Sequence, residues 1–202
     1  MSGSGLTFYR GEVRDLLVAW LALGVAFALF FGGGTQVLEH PPVFIELLVI
    51  SIITAGIGFL LHELAHKIVA VRFGQVAAFR ANYPMLAMAI AAGAVGFIFA
   101  APGAVYHRGR ITARENGLIS VAGPITNIVL GIVFAPLVFV EVALIAEIGV
   151  YGVLINFFLA AFNMIPFGPL DGRKVLGWSK IVFALTFVGS LVLLGGAVVL
   201  VF

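Results

Sequence analysis

Six long apolar runs dominate this chain of 202 residues and restrict the folds that it can adopt. A helix needs roughly 20 apolar residues to cross about 30 Å of hydrocarbon, and several runs approach that length. Transmembrane barrels would instead show short alternating segments, which this sequence lacks. Because 62% of the residues are hydrophobic and 10% are charged, we predict an all-α membrane protein, a polytopic transmembrane helix bundle with five to six hydrophobic segments. The runs lie at 16–31, 43–70, 85–105, 117–140, 149–166 and 181–202.

The segments between the runs are too short for a soluble domain, which needs about 50 residues or more. We therefore interpret 1–202 as a single integral membrane domain with its core at 43–178, so that recognition takes place in the membrane part itself. The first run follows Arg10 and Arg14 and lacks a small-residue cleavage site, so we expect a retained span. The absence of cysteine excludes thiolate metal ligands and a cysteine nucleophile.

The basic residues predict the orientation in the membrane, because cytoplasmic loops carry the excess of Lys and Arg. The net charge is only +2, so this pattern indicates topology and a lipid bilayer partner, not nucleic-acid binding. If 85–105 enters the membrane and returns without crossing, every basic residue lies on one side. We therefore predict five crossings with the N-terminus inside. The basic residues are Arg10, Arg14, Lys67, Arg72, Arg80, Arg108, Arg110, Arg114, Arg173, Lys174 and Lys180.

A His-Glu-x-x-His pattern, His62-Glu63-Leu64-Ala65-His66, stands inside the second run. On a helix the i, i+4 spacing puts both imidazoles on one face, where they can bind one metal ion. Glu63 points to the neighbouring sector and can act as a general base on water. Ionisable side chains inside an apolar helix are costly and usually mark function. The alternative is a polar patch at the membrane interface near Lys67.

A catalytic zinc site needs a third protein ligand from elsewhere in the chain. Asp171 follows the fifth run, where Pro166 and Gly168 must break the helix, and its other interpretation is an ordinary Asp-Gly turn. Five crossings would put it on the same membrane face as the two histidines. His40 and His107 are expected to be solvated loop residues. The remaining candidates, expected near the opposite face, are Glu46, Glu141 and Glu147.

Three motifs in this order resemble the site-2 protease family of intramembrane zinc metalloproteases. They are His62-Glu63-x-x-His66, Gly123-Pro124-x-x-Asn127, and Asn163-x-x-Pro166 leading to Leu170-Asp171-Gly172. The resemblance covers about 43–178 and is that of a minimal member without a PDZ or CBS domain. It implies one Zn²⁺ per chain bound by His62, His66 and Asp171, with Glu63 as the general base. It also implies that Asn163 stabilises the oxyanion or holds the substrate strand, with Asn127 in support.

The two asparagines have structural interpretations as well. Asn163 lies seven residues after Asn156 on the same helix face, so the two could form an interhelical hydrogen bond. Asn127 is expected to satisfy backbone groups that Pro124 leaves unpaired. Both interpretations remain open beside the roles that the resemblance implies.

The segment between residues 74 and 107 is where the family places membrane-associated strands and a re-entrant loop. The closest local match is Pro102-Gly103-Ala104-Val105. A helical substrate hides its carbonyls in its own hydrogen bonds, so an exposed strand edge is a suitable place to hold it extended. The extra apolar residues 85–99 depart from the compact pattern of the family.

The resemblance implies cleavage of a transmembrane or membrane-proximal segment of another membrane protein. The basic residues near the motif predict an active site close to the cytoplasmic side of the cell membrane, and the sequence indicates no oligomeric state. The alternative is a catalytically silent membrane scaffold or an ion or solute transporter, in which the buried histidines and aspartate would serve ion passage.

Overall fold

A computed structural model describes residues 6–98 and 103–201 of the chain. It is a helix bundle with one small sheet, and it confirms the predicted all-α polytopic architecture. Two strands, β1 and β2, stand before and after the fourth helix and pair with each other. The elements are α1 (Glu12–Phe31), α2 (Pro41–Ser51), α3 (Ile57–Arg72), β1 (Val76–Ala81), α4 (Tyr83–Ala94), β2 (Gly103–Arg108), α5 (Ala113–Phe134), α6 (Ala143–Asn163), α7 (Asp171–Trp178) and α8 (Lys180–Val201).

Five helical segments within the described residues are long and apolar enough to cross a membrane. The second joins α2 and α3 into one span of 32 residues, and the third continues from α5 into a 3₁₀ turn at Ala135–Phe139. The fifth apolar run was predicted to extend to 166, but α6 ends at Asn163, because Pro166 disfavours helical backbone just before it. The spans are Glu12–Phe31, Pro41–Arg72, Ala113–Phe139, Ala143–Asn163 and Lys180–Leu200.

Within its described residues, the apolar run at 85–105 supplies most of α4, a helix of only 12 residues, and the start of β2, and it contributes no span. At 1.5 Å per residue this helix is about 18 Å long, well short of the hydrocarbon thickness. The strands on either side pair antiparallel, with Val76 opposite Arg108 and Ala81 opposite Gly103. The chain therefore enters and leaves this segment at the same place, as the prediction of five crossings requires. Pro102 of the predicted local match lies outside the described residues.

A π-helical segment, Ile52–Gly56, interrupts the second span shortly before the histidines. The indole of Trp20 in α1 donates a hydrogen bond to the carbonyl of Ile52 at 3.0 Å, so a backbone acceptor of this segment is paired. Trp20 also packs directly against Gly56, where any larger side chain would overlap the ring. These contacts set the position of α1 on the span that carries the metal-binding motif.

A buried ion pair holds the start of α1 against α3 and the sheet. Lys67 Nζ lies 2.5 Å from Glu12 Oε1, and the same oxygen accepts the backbone N–H of Phe79 in β1 at 3.1 Å. Both charged side chains are almost fully buried. Lys67 was counted among the loop charges that orient the protein, and that assignment is wrong, because its charge is neutralised inside the bundle.

The predicted topology can be tested by labelling single cysteines, which are unique in a chain without native cysteine. Val76 and Tyr106 have exposed side chains on paired strands. In sealed, oriented vesicles we expect Val76→Cys and Tyr106→Cys to react with an impermeant maleimide from the same side. Exposed Glu141, in the connection between α5 and α6, is the control, and Glu141→Cys should react from the other side. Labelling of the two strand positions from opposite sides would contradict both the topology and the proximity of Asp171 to the histidines.

Candidate metal centre

His62 and His66 project from one face of α3 into the interior of the bundle. Both side chains are buried, and they lie next to Asp171, the first residue of α7, which comes much later in the chain. His62 Nε2 lies 3.3 Å and His66 Nε2 lies 3.1 Å from the same oxygen, Asp171 Oδ2. The structure therefore brings the three predicted metal ligands together.

The other ring nitrogen of each histidine is held by a protein acceptor. His62 Nδ1 lies 2.6 Å from Asn127 Oδ1, and His66 Nδ1 lies 2.7 Å from the carbonyl oxygen of Ile119. A carbonyl oxygen only accepts, so Nδ1 carries the proton and Nε2 is left with a lone pair. This is the tautomer in which metal-binding histidines are usually held.

Asn127 makes contacts that differ from those expected from the sequence. Its Nδ2 donates to the Gly58 carbonyl at 3.2 Å and to Asn156 Oδ1 at 2.9 Å, which fixes the amide with Oδ1 towards His62. The prediction that Asn127 satisfies backbone groups freed by Pro124 is therefore wrong. Gly58 makes this network possible, because a Cβ there would lie 2.5 Å from Asn156 Oδ1.

Asn163 lies at the end of α6 and lines the cavity beside the metal centre. Its Nδ2 donates to the Leu159 carbonyl, one turn earlier in its own helix, at 2.9 Å. The predicted hydrogen bond with Asn156 is not formed, because Asn156 lies seven residues earlier in the same helix, about 10 Å away along its axis, and its Oδ1 accepts from Asn127. An amide nitrogen carries two hydrogens, so Asn163 retains one for a ligand in the cavity.

The position of Asp171 follows from the break after α6. Gly168 adopts a left-handed conformation with φ of 59°, and Gly172 packs so closely on the carbonyl of Met164 that any side chain would overlap it. These contacts seat the first turn of α7 against the end of α6. Burial alone would raise the pKa of Asp171, but its imidazole neighbours, His66 and His62, hold it below its ordinary value. The carboxylate is therefore ionised and available as a ligand.

Glu63 is buried beside the histidines, and its Oε2 has no hydrogen-bond partner within the described part of the chain. The side chains of His62, Glu63 and His66 face a cavity of about 130 Å³. The donor atoms of His62, Glu63 and His66 lie within 4.8 Å of one another, so Glu63 competes with Asp171 for the position of third ligand. Asp171 is favoured, because a single oxygen of its carboxylate approaches both Nε2 atoms.

The space between the ligands is suited to an ion. A Cβ on Gly123 in α5 would lie 2.5 Å from His62 Nε2 and 2.6 Å from His66 Nε2, so this glycine keeps a gap open beside both nitrogens. Two imidazoles and one carboxylate are a donor set that catalytic zinc sites use, with a fourth position left for water or substrate. Glu63 lies beside both histidines, and the residues present therefore fit a zinc ion.

His107 lines the same cavity from β2, although the sequence suggested a solvated loop residue. That prediction is wrong, since the side chain is half-buried. Burial lowers the pKa of His107, and the neighbouring charge of Lys174 lowers it further. The strand period could have revealed it, because residues 103, 105 and 107 alternate with exposed neighbours. The other candidates, His40, Glu46, Glu141 and Glu147, are exposed.

Comparison with known proteins identifies the family. The chain is 40% identical over 182 residues to a protein of Methanocaldococcus jannaschii named "putative zinc metalloprotease", a match that covers 88% of this chain and 90% of that protein. The chain belongs to this zinc metalloprotease family. A Bacillus subtilis protein, YwhC, has the same designation and is 29% identical over 149 residues, covering 62% of this chain and 66% of its own length. No family model matches the chain, and no solved structure matches it.

Membership of the zinc metalloprotease family, together with the buried group of His62, Glu63 and His66, confirms the predicted zinc cofactor. The five apolar helices agree with a protein that lies in a lipid bilayer.

Asn127 should control how well His62 binds metal. In Asn127→Ala the Nδ1 proton of His62 loses its acceptor, and loss of such an outer contact typically costs about 10- to 100-fold in metal affinity. Competition with a chelator of known affinity measures the change. Asn163→Ala is the matched control, because Asn163 contacts neither histidine by a hydrogen bond within the described residues, and zinc affinity should stay within about twofold of the parent. Parental zinc affinity in Asn127→Ala would contradict the assigned role.

Proposed function

We propose that this metalloprotease is an intramembrane zinc endopeptidase of the site-2 protease type. It hydrolyses a peptide bond in a transmembrane or membrane-proximal segment of another membrane protein. The observation that carries the proposal is the meeting of Asp171 with the His62-Glu63-x-x-His66 face of α3 inside a bundle of apolar helices. Ionisable side chains buried in a membrane-embedded chain are costly, and packing alone does not account for them.

In this proposal His62, His66 and Asp171 hold one zinc ion. Zinc supplies a Lewis acid that polarises the scissile carbonyl and makes water nucleophilic near neutral pH. Glu63 takes the proton from the attacking water and passes it to the leaving amine. Within the described residues Glu63 Oε2 has no hydrogen-bond partner, which supports this assignment, since a purely structural carboxylate would have both oxygens paired.

Asn163 stabilises the developing oxyanion through the amide hydrogen that its bond to Leu159 leaves over. Contacts of this type are worth about 3 kcal/mol in other hydrolases. The location of Asn163 in the cavity wall, together with Glu63 and Asp171, supports the role.

The substrate binds in an extended form along β2. Within the described residues the sheet has the two strands β1 and β2 alone, so one edge of β2 carries backbone groups that can pair with an added strand. β2 also contributes Gly103, Val105 and His107 to the cavity. Strand pairing on this edge would bring an unwound segment of the substrate past Glu63.

The active site lies near the cytoplasmic side of the cell membrane. His66 precedes Arg72, the last residue of α3, by six residues, or about 9 Å along a helix. Asp171 stands outside the five spans, in the connection between α6 and α8. Both positions support a shallow site that water reaches from the side that carries the basic residues.

The function can be tested by comparing the membrane proteomes of cells that produce the parent protein and cells that produce Glu63→Gln. We expect fragments of one or more membrane proteins that are present with the parent and disappear with the variant. The purified parent should hold about one zinc per chain and lose it in His66→Ala. A silent scaffold or a transporter would yield identical fragment patterns, which would contradict the proposal.

A further inference from the structure

The cavity at the metal centre has two chemically different ends. One end is walled by apolar side chains of α1, the second span and α6. The other end lies beside the metal centre and adds two basic side chains that the proposed chemistry does not use, His107 and Lys174. The apolar wall consists of Leu23, Phe27, Ala55, Phe59 and Leu159. A peptide in this cavity therefore meets both an apolar and a basic surface.

Lys174 reaches the cavity from α7, one turn after Asp171. Its Nζ lies 3.8 Å from Asp171 Oδ1, too far for a hydrogen bond, and its side chain is 44% exposed. The ammonium group therefore keeps donors available for another partner. The opposite oxygen of Asp171 faces the histidines, so Lys174 is not needed to orient that contact.

When zinc is bound, the charged groups that line the cavity have a net positive charge, so a further anion is needed to neutralise them. A divalent zinc ion is neutralised by the carboxylates of Asp171 and Glu63, and the two imidazoles are neutral in the tautomer that their Nδ1 contacts require. The positive charge of Lys174, whose side chain is 44% exposed, then remains at the edge of the cavity, where a further anion can pair with it.

His107 adds a hydrogen-bond donor from β2 to the same end of the cavity. Its side chain lies on the same, inward face of the strand as that of Val105, while the neighbouring Tyr106 is exposed. A neutral imidazole offers one N–H, which complements an ammonium group in binding a carboxylate. Residues of β2 and of α7 thus line the same cavity, and the charge of Lys174 is near enough to lower the pKa of His107.

We propose that Lys174 and His107 form a specificity subsite for an acidic side chain of the substrate, next to the bond that is cut. This inference rests on the proposed function and names the class of substrate: an extended segment with an aspartate or glutamate at the basic end of the cavity and an apolar residue at the other end. The acidic residue forms a charge-assisted hydrogen bond with Lys174 and accepts from His107.

Two short peptide hydroxamates test the subsite without requiring cleavage. The first is a leucyl-glutamate peptide, and the second has glutamine in place of glutamate. Each pair is made twice, with the glutamate or glutamine at the first or at the second position from the hydroxamate. Their dissociation constants for the zinc-loaded, purified full chain are measured by calorimetry, and zinc content is measured for each variant. On the parent we expect the glutamate peptide to bind about tenfold more tightly at one of the two positions, as a charge-assisted hydrogen bond implies.

Matched variants separate the subsite from general electrostatics. Lys174→Met should abolish the preference, and Lys174→Arg should retain it. Arg173→Met is the control, because Arg173 is the exposed neighbour on the same helix and lies outside the cavity lining, so the preference should persist. His107→Leu should reduce the preference several-fold, and His107→Gln, which restores an N–H donor, should recover it.

Equal binding of the two peptides to the parent would overturn the subsite, and so would a preference that survives Lys174→Met or disappears in Arg173→Met. Failure of both peptides to bind the zinc-loaded parent would instead contradict the metal site itself, and with it the proposed function. Binding of both peptides without discrimination leaves the proposed function standing and rejects only the subsite.

Discussion

Replacing Glu63 with glutamine is expected to lower the rate of peptide cleavage about 100- to 10,000-fold while zinc stays bound. The amide has the size of the carboxylate but cannot take a proton from water, and general acid-base catalysis contributes about this much in other enzymes. Because Glu63 Oε2 has no hydrogen-bond partner within the described residues, the substitution breaks no internal contact of that oxygen. Rates on a membrane substrate, zinc content and melting temperature are measured on the same preparation.

Glu12→Gln is the matched control for this variant. Glu12 is a second buried glutamate, but it is paired with Lys67 and with the N–H of Phe79. Removing its charge leaves Lys67 buried without a counter-ion, which typically costs about 3 to 5 kcal/mol of stability. We expect this variant to melt at a lower temperature while its zinc remains bound below the transition. Cleavage by Glu63→Gln at the parental rate would contradict the assignment of the base.

Replacing Asp171 with alanine is expected to remove zinc from the protein. A structural zinc site with four ligands gains about 10 to 16 kcal/mol in total, so one ligand is worth roughly 3 kcal/mol or a hundredfold or more in affinity. The variant also leaves His62 Nε2 and His66 Nε2 facing a cavity without their shared partner, which lowers stability. Dialysis against a mild chelator followed by metal analysis measures the loss.

Arg173→Ala controls for changes in α7 that do not involve the metal. Arg173 is exposed and follows Asp171 by two residues, so its removal should leave zinc content and stability near the parent. Full zinc occupancy in Asp171→Ala after chelation would show that Glu63 is the third ligand. The roles of Glu63 and Asp171 would then have to be exchanged.

Much of the architecture could be predicted because it depends on short-range properties of the chain. The hydrocarbon thickness requires apolar helices of a certain length, and the five spans follow from the apolar runs. The i, i+4 spacing of His62 and His66 puts them on one helix face regardless of what surrounds that helix. Counting the membrane crossings, with the run at 85–105 taken as one that does not cross, was sufficient to predict that Asp171 lies at the same end of the bundle as the two histidines.

Contacts across the bundle were predicted less well, because they depend on which helices are neighbours. The sequence placed Asn163 with Asn156 and Asn127 with Pro124, since these residues are close along the chain. In the structure Asn156 and Asn127 pair with each other across α6 and α5, and Asn127 holds a histidine of α3. Lys67 was interpreted as a loop charge, but its counter-ion, Glu12, comes from a helix 55 residues away.

The sequence by itself determined the membrane-spanning class of this protein, its metal-binding motif and the identity of the candidate ligands, because hydropathy and helical period are local properties. Only the tertiary structure decided which groups complete the site. Gly123 leaves the gap beside the two Nε2 atoms, Asn127 and the Ile119 carbonyl fix the tautomers, and β2 turns His107 into the cavity. Each of these depends on the close approach of segments far apart in the chain, and such approaches are set by packing, which no local pattern encodes.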